Sequence, residues 1–199
     1  MKANVGMIYP VAAKVDTYTP NSSITYQTGF VVDEAREANI TFTTADGEFH
    51  GDNTVLDVDN SITGYSVEFE TTGLKDTVRA ALLGEVKNAS DEYEISGGAS
   101  PEVGFGYIAN MRDDSSGTVV ETFEAWWCRR IRFAQPNENA RTKEGSTEWR
   151  TPQISGKGLG VYLSADQEKP KFVVHKTFST LAAAKAWLQT KANIGTVTT

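Results

Sequence analysis

The residue types that most often carry catalysis or bind metals are few in this chain and stand far apart. Its two histidines, His50 and His175, lie in opposite halves of the 199 residues. Neither belongs to an HxxxH, HxH or cysteine-containing pattern of the kind that forms zinc sites. The single cysteine, Cys128, lies in a strand-like segment, whereas a nucleophilic cysteine needs a histidine partner. We therefore interpret Cys128 as a thiol in the core or at an interface.

Two short patterns come close to known ligand-binding motifs without meeting their requirements. Asp57–Ser61 followed by Glu68 has part of the spacing of an EF-hand, but Ile62 stands where the calcium loop needs glycine. Gly156–Gly160 is rich in glycine, but its spacing matches neither phosphate-binding loop, and a bulged strand explains it better. Carboxylates are numerous, yet no pair stands out for acid–base catalysis. The sequence therefore predicts a protein that is not an enzyme and holds no metal or cofactor.

Aromatic and basic side chains are interleaved in one segment, Trp126–Phe133. Such a segment can stack on single-stranded nucleic acid, or it can lie at a protein interface, where Trp and Arg are enriched. The chain has 19 Lys and Arg against 26 Asp and Glu, a net charge of −7. Binding to a phosphate backbone requires clustered positive charge. The negative net charge therefore favours a protein interface for this segment.

The composition is that of a folded domain with no membrane anchor. Hydrophobic residues make up 39% and charged residues 23%, which is typical of globular chains. The single cysteine suits folding in a reducing compartment. Pro10 interrupts the short apolar run near the N-terminus, so no signal peptide is predicted, and the sequon at Asn39–Thr41 is interpreted as chance. No stretch reaches the ~20 apolar residues of a membrane helix.

Most of the chain alternates apolar and polar residues between turn signals, as β-strands do. Strands are predicted at residues 5–15, 24–32, 39–44, 54–59, 64–71, 103–111, 119–133, 148–163 and 171–177. Apolar residues at helical spacing predict helices at 74–83, with Thr72 as cap and Gly84 as terminator, and at 181–190, capped by Ser179 or Thr180. The pattern predicts an all-β or α+β domain.

The region from residue 45 to residue 71 is expected to carry the functional surface. Residues 45–53 are polar, contain two glycines and predict a long exposed loop. Residues 54–59 and 64–71 predict a hairpin with one apolar face and one acidic face, the latter formed by Asp57, Asp59, Glu68 and Glu70.

Eight segments, in this order along the chain, resemble those of a known family. They are Gly6–Ala12, Thr43–Glu48, Gly64–Glu70, Leu82–Gly84, Gly104–Tyr107, Trp126–Phe133, Thr142–Lys143 and Glu148–Gly156. With them, the chain resembles the major tail proteins of long-tailed, non-contractile bacteriophages, especially those of phages that infect Gram-positive bacteria. The resemblance covers roughly residues 5 to 160.

The resemblance implies a tail-tube-type β-sandwich flanked by a helix, with six subunits in each ring and rings stacked into a tube. Strands from every subunit would join into one barrel around a channel through which phage DNA passes without specific binding. Four strands from each of six subunits, spaced ~4.8 Å apart, give a backbone diameter of roughly 37 Å before tilt widens it. A duplex would fit.

The resemblance also assigns partners, a location and candidate residues. Further partners would be tape-measure, tail-completion and tail-tip proteins, and the subunit would be assembled in the host cytoplasm and reside in the virion. Residues 1–163 would form the β-sandwich domain. The resemblance does not cover residues 164–199, which are expected to form a C-terminal strand–helix extension, either packed on the same domain or added beside it. The expected lumen-facing acids are Asp57, Asp59, Glu68 and Glu70, with the alternative that they face the outer solvent and serve solubility. The expected assembly loop consists of Asp46, Gly47, Glu48, Phe49, His50 and Gly51.

Two other functions remain open at this point. A carbohydrate-binding β-sandwich module would use Trp126, Trp127 or Trp149 as a platform on which sugars stack. A hydrolase would use a pair of carboxylates, which the sequence does not single out.

Overall fold

The computed structural model describes residues 2–32, 35–52, 54–114, 119–137, 151 and 153–195. Over these residues the protein is mainly β, with a large antiparallel sheet and two short helices. The strands are β1 Lys2–Thr19, β2 Ser23–Tyr26, β3 Phe30–Val31, β4 Ala35–Thr44, β5 Gly47–Gly51, β6 Thr54–Asp59, β7 Ile62–Thr71, β8 Val86–Lys87, β9 Tyr93–Glu94, β10 Glu102–Asp113, β11 Val120–Phe133, β12 Gln153–Gly158 and β13 Val173–Phe178. The helices are α1 Asp76–Leu83 and α2 Leu181–Lys191.

Nine strands form the large sheet, in the order β2-β1-β10-β11-β12-β7-β4, with β3 also paired to β1 and β13 to β11. Strand β11 has two neighbours on one side. Its first part, Phe123–Cys128, pairs with β13, and its last part, Ile131–Phe133, pairs with β12. Strands β5 and β6 form a separate two-stranded ribbon, as do β8 and β9.

The large sheet curves around the main core. Strands β7 and β10 are not paired, yet the rings of Phe69 and Phe105 contact each other with centroids 5.1 Å apart. Phe133 packs on Phe105 from β11, and Leu82 of α1 is buried in the same cluster. The alternation predicted for β7 is confirmed, because its inward side chains are buried: Tyr65, Val67 and Phe69.

A second core lies on the other face of β10 and β11, under α2. Trp127, Ile108 and Leu188 are buried there. Close packing of the helix requires glycine in β10, since a Cβ added to Gly106 would lie 2.9 Å from Leu188 Cδ2 and 2.5 Å from the Trp126 carbonyl oxygen. Strand β13 and helix α2 therefore share a core with the rest of the chain.

Both predicted helices are present, and α2 is capped as expected by Thr180, whose hydroxyl accepts a hydrogen bond of 3.3 Å from the Ala183 N–H. Helix α1 ends at Gly84, which adopts the left-handed conformation with φ 82°. Its N-cap is Lys75, so the prediction of Thr72 as cap is wrong. Within the described residues, neither helix is long and apolar enough to span a membrane.

Two predictions about residues 45–71 are wrong. The segment 45–53 is not a long loop, because Gly47–Gly51 forms β5 and pairs with β6. The hairpin expected between residues 54–59 and 64–71 does not form either. Both edges of β7 are occupied, by β4 on one side and β12 on the other, so β6 has no place beside β7.

Candidate assembly interface

Strands β5 and β6 form a ribbon that stands apart from the large sheet, and we call residues 47–59 the protruding hairpin. Its register pairs Gly47 with Asp59, Phe49 with Asp57 and Gly51 with Thr54, with a bulge after Phe49. Every residue of the hairpin whose burial is described is exposed to solvent. No other element of the described chain covers either face.

The protruding hairpin exposes large apolar side chains. Phe49 is 66% exposed, Leu56 61% and Val58 54%. A two-stranded ribbon in water is marginally stable at best, and no other element of the described chain covers these side chains. The hairpin therefore has the properties of a segment that another molecule covers.

The same hairpin is strongly acidic. Between residues 45 and 61 the chain has no Lys or Arg, and its acidic residues are Asp46, Glu48, Asp52, Asp57 and Asp59. The Ser61 backbone N–H donates a hydrogen bond of 2.9 Å to Asp59, which lowers the pKa of that carboxyl. His50 Nε2 lies 3.1 Å from the Glu48 carboxylate. All six predicted loop residues, Asp46 to Gly51, belong to this hairpin or directly precede it.

The four carboxylates predicted for one acidic face lie in two different places. Asp57 and Asp59 are on β6 in the protruding hairpin, whereas Glu68 and Glu70 are on the outward face of β7, within the large sheet. Glu70 accepts a hydrogen bond from the Thr151 hydroxyl and lies 3.4 Å from Arg36. The prediction of one shared hairpin face is therefore wrong, because β6 pairs with β5.

Strand β4 forms an edge of the large sheet. It is ten residues long and pairs with β7 on one side, and no described strand pairs with its other side. Phe42 on this strand is 41% exposed. A long edge strand offers unpaired backbone N–H and C=O groups to a strand of another chain.

The aromatic–basic strand β11 offers no open tryptophan platform among the described residues. Trp127 is buried, and Trp126 stacks on His175 with ring centroids 4.5 Å apart. Trp149, together with Thr142, Lys143 and Glu148, lies outside the described residues. Cys128 is fully buried, and that burial raises the pKa of its thiol, which confirms it as a core residue.

A bulge in β11 positions the arginines, and the sequence pattern did not reveal it. Arg129 and Arg130 together oppose Gly104 of β10. Two tyrosines, the partly buried Tyr26 and the buried Tyr65, hold the bulge. Tyr26 donates a hydrogen bond of 2.8 Å to the Arg129 carbonyl, and Tyr65 donates one of 3.1 Å to the Arg130 carbonyl. Burial raises the pKa of Tyr26 to about 12 and also raises the pKa of Tyr65, so both hydroxyls remain donors at neutral pH.

The bulge places two arginines on one carboxylate. Arg130 Nε lies 2.5 Å from Glu102, and Arg132 Nη2 lies 2.7 Å from it. The guanidinium of Arg130 also lies over the Tyr18 ring, 4.4 Å from its centroid. One carboxylate thus faces two positive charges, which leaves an excess of positive charge at this end of β11.

Nothing in the described part of the chain resembles a catalytic or metal centre. No group of three His, Cys, Asp or Glu side chains is close enough to hold a metal ion. His175 lies 2.9 Å from the Glu124 carboxylate, and His50 lies 3.1 Å from the Glu48 carboxylate.

Comparison with known proteins adds no family to this picture. A scan of family models found none that matches the chain, and a search of curated proteins found no significant match. The protruding hairpin, the free edge of β4 and the sequence resemblance are therefore the observations on which a function can be proposed.

Proposed function

We propose that this chain is a structural protein, the major tail tube subunit of a long-tailed, non-contractile phage, and that it assembles into hexameric rings stacked into a tube. The observation that carries the proposal is the protruding hairpin. Its apolar side chains face solvent although the fold has a well-packed core. A hairpin of this kind becomes stable when a neighbouring chain covers it, and the sequence resemblance implies that this neighbour is another copy of the subunit.

The free edge of β4 supports the same proposal. Pairing this edge with a strand of the neighbouring subunit would satisfy its backbone hydrogen-bonding groups and remove the risk of uncontrolled association. Contacts between two different surfaces of identical subunits close into a ring when the rotation between subunits fits. The described part of the chain therefore has two features that ring formation would use, an unpaired sheet edge and an uncovered hairpin.

In the proposed tube, DNA passes through the channel without specific binding. An acidic wall suits this role because like charges weaken adhesion of the duplex. Glu68 and Glu70 on the outward face of β7 remain the candidates for this wall. Asp57 and Asp59, on the protruding hairpin, are instead proposed to lie at the contact between subunits. Tape-measure, tail-completion and tail-tip proteins would be further partners, and the tube would be assembled in the host cytoplasm and reside in the virion.

Electron microscopy of the purified chain tests the proposal. We expect rings or tubes in negative stain, and a mean particle mass in light scattering that increases with concentration. A particle that remains monomeric over the whole soluble range, with no ring in any micrograph, would contradict a tube subunit. Binding of an oligosaccharide by such a monomer would instead support the carbohydrate-binding module.

A further inference from the structure

A groove of about 490 Å³ opens beside β12. Ser155, Gly156 and Lys157 of β12 line it, together with Ala134 after β11 and Ala99 in the loop before β10. Ile154 of β12 points into the core and is buried, whereas Ser155 and Lys157 are exposed on the opposite face of the strand. The groove therefore lies on the outward face of β12, between β7 and β11, and no described residue fills it.

The charge of this groove is opposite to that of the whole protein. Lys157 lies directly across from Arg132 in the pairing of β12 with β11, and both line the groove. None of the described lining residues is acidic, but Glu68 of β7 lies directly across from Ser155 on the same face. The groove therefore borders the face that is proposed for the channel wall. The carboxylate of Glu102 is shared between Arg130 and Arg132. Among the described residues Lys157 has no ion-pair partner, so its charge is available to a partner in a chain with a net charge of −7.

One face of the protruding hairpin has the complementary properties. Directly opposed residues of an antiparallel pair project to the same face, and the register opposes Phe49 to Asp57 and Gly47 to Asp59. This face therefore carries one large aromatic side chain, Phe49, and the carboxylates of two alternate residues of β6, Asp57 and Asp59. An apolar anchor flanked by negative charges fits an apolar groove flanked by positive charges.

We propose that the groove beside β12 receives the protruding hairpin of a second copy of this chain, with Phe49 against the apolar lining and Asp57 and Asp59 facing Lys157 and Arg132. This inference rests on the proposed function and names the surface on which the assembly hairpin acts. The contact joins two different surfaces, so each copy offers one hairpin and one groove. Such a contact generates rings or filaments and not a closed pair.

Charge reversal and its compensation test the contact. Lys157→Glu and Asp57→Lys each place like charges opposite one another, and we expect each to raise the concentration needed for half-maximal assembly by about tenfold or more. The double variant restores opposite charges, so its assembly should return to within about threefold of the wild type. Lys185→Glu on α2 makes the same change of charge away from the groove and should assemble as the wild type does.

The outcomes separate this inference from the proposed function. A wild-type chain that forms rings, together with a Lys157→Glu variant that assembles equally well, would overturn the groove as docking site and leave the tube subunit intact. A double variant that stays as impaired as either single variant would also overturn it. A wild-type chain that forms no rings contradicts the proposed function and this inference with it.

Cross-linking provides a second readout that does not depend on charge. Asp59→Cys and Ser155→Cys are made in separate chains and mixed under mild oxidation. A disulfide that joins one variant to the other, and not either variant to itself, supports the contact. Absence of that heterodimer in assembled material would contradict it. Cys128 is fully buried, so it does not compete in the folded protein.

Discussion

Strands β6 and β7 have the same alternation of apolar and acidic residues, yet they differ in what covers them. In β7 the apolar side chains are buried, with Val67 at 0% and Phe69 at 1% exposure. In β6 Leu56 and Val58 are exposed, because among the described residues only β5 pairs with this strand and no other element packs on it. Alternation thus specifies a two-faced strand, and the surroundings decide whether the apolar face belongs to the core or to an interface.

The largest effect is expected from matched substitutions of two phenylalanines, one in each region. Phe69→Ala removes a ring that packs on Phe105 in the main core, and we expect it to lower the free energy of unfolding by about 3–5 kcal/mol. Phe49→Ala, in the exposed hairpin, should change it by less than about 0.5 kcal/mol. Denaturant unfolding measures both. Equal losses would mean that the hairpin is part of the folding core.

A pair of glycines in the sheet gives the next effect. Gly106→Ala drives a methyl group against the Trp126 carbonyl and Leu188, and overpacking of this kind costs about 1–3 kcal/mol. Gly64→Ala on β7 is the control, because no atom lies within 4 Å of an added Cβ there. Thermal unfolding should separate the two variants. A Gly106→Ala variant as stable as its control would show that α2 can shift away from β10.

The carboxylate between the arginines of β11 predicts a dependence on pH. Burial raises the pKa of Glu102, but hydrogen bonds and charge from Arg130 and Arg132 outweigh it and hold the pKa below its ordinary value of 4.5. Because the pKa is lowered in the folded state, the ionised carboxylate stabilises the fold above pH 4.5. This contribution is lost as the pH falls through the folded-state pKa. As the pH is lowered from 7, the free energy of unfolding should therefore decrease less in Glu102→Gln than in the wild type. Parallel curves for the two would exclude Glu102 as a source of acid sensitivity.

Removal of the protruding hairpin should separate folding from assembly. Replacing residues 47–59 by a two-residue turn between β4 and β7 deletes no buried side chain among those described. We expect the free energy of unfolding to change by less than about 1 kcal/mol while ring formation is lost. Circular dichroism and negative-stain microscopy of the same preparation measure the two properties. Normal rings from this variant would show that the hairpin has no part in assembly.

The smallest effect on the folded chain is expected from Glu68→Lys. Its side chain is exposed on the outward face of β7, so the unfolding curve should not move. If this face lines the channel, genome ejection from phage carrying the variant should slow, and more so at low salt, since screening limits the effect to about 8–10 Å at physiological ionic strength. An unchanged ejection rate at both salt concentrations would place Glu68 outside the channel.

Local patterns in the sequence were sufficient for the β-rich class, the inward residues of β7, helix α2 with its Thr180 cap and the burial of Cys128. Each depends on a short repeat or on a single residue type. Alternation at period two and apolar residues at helical spacing report which side chains share a face, and that information lies within one segment.

The tertiary structure alone decided which strands meet. Residues 45–53 lack an apolar stripe, so their sequence predicts a loop. Hydrogen bonds to β6 nevertheless make Gly47–Gly51 a strand. The four predicted carboxylates separated because β4 and β12 occupy both edges of β7. The bulge at Arg129 depends on Gly104 and on two tyrosines far away in the sequence. A strand has only two edges, and which segments occupy them depends on competition among the strands of the whole chain, which the local period of one segment does not encode.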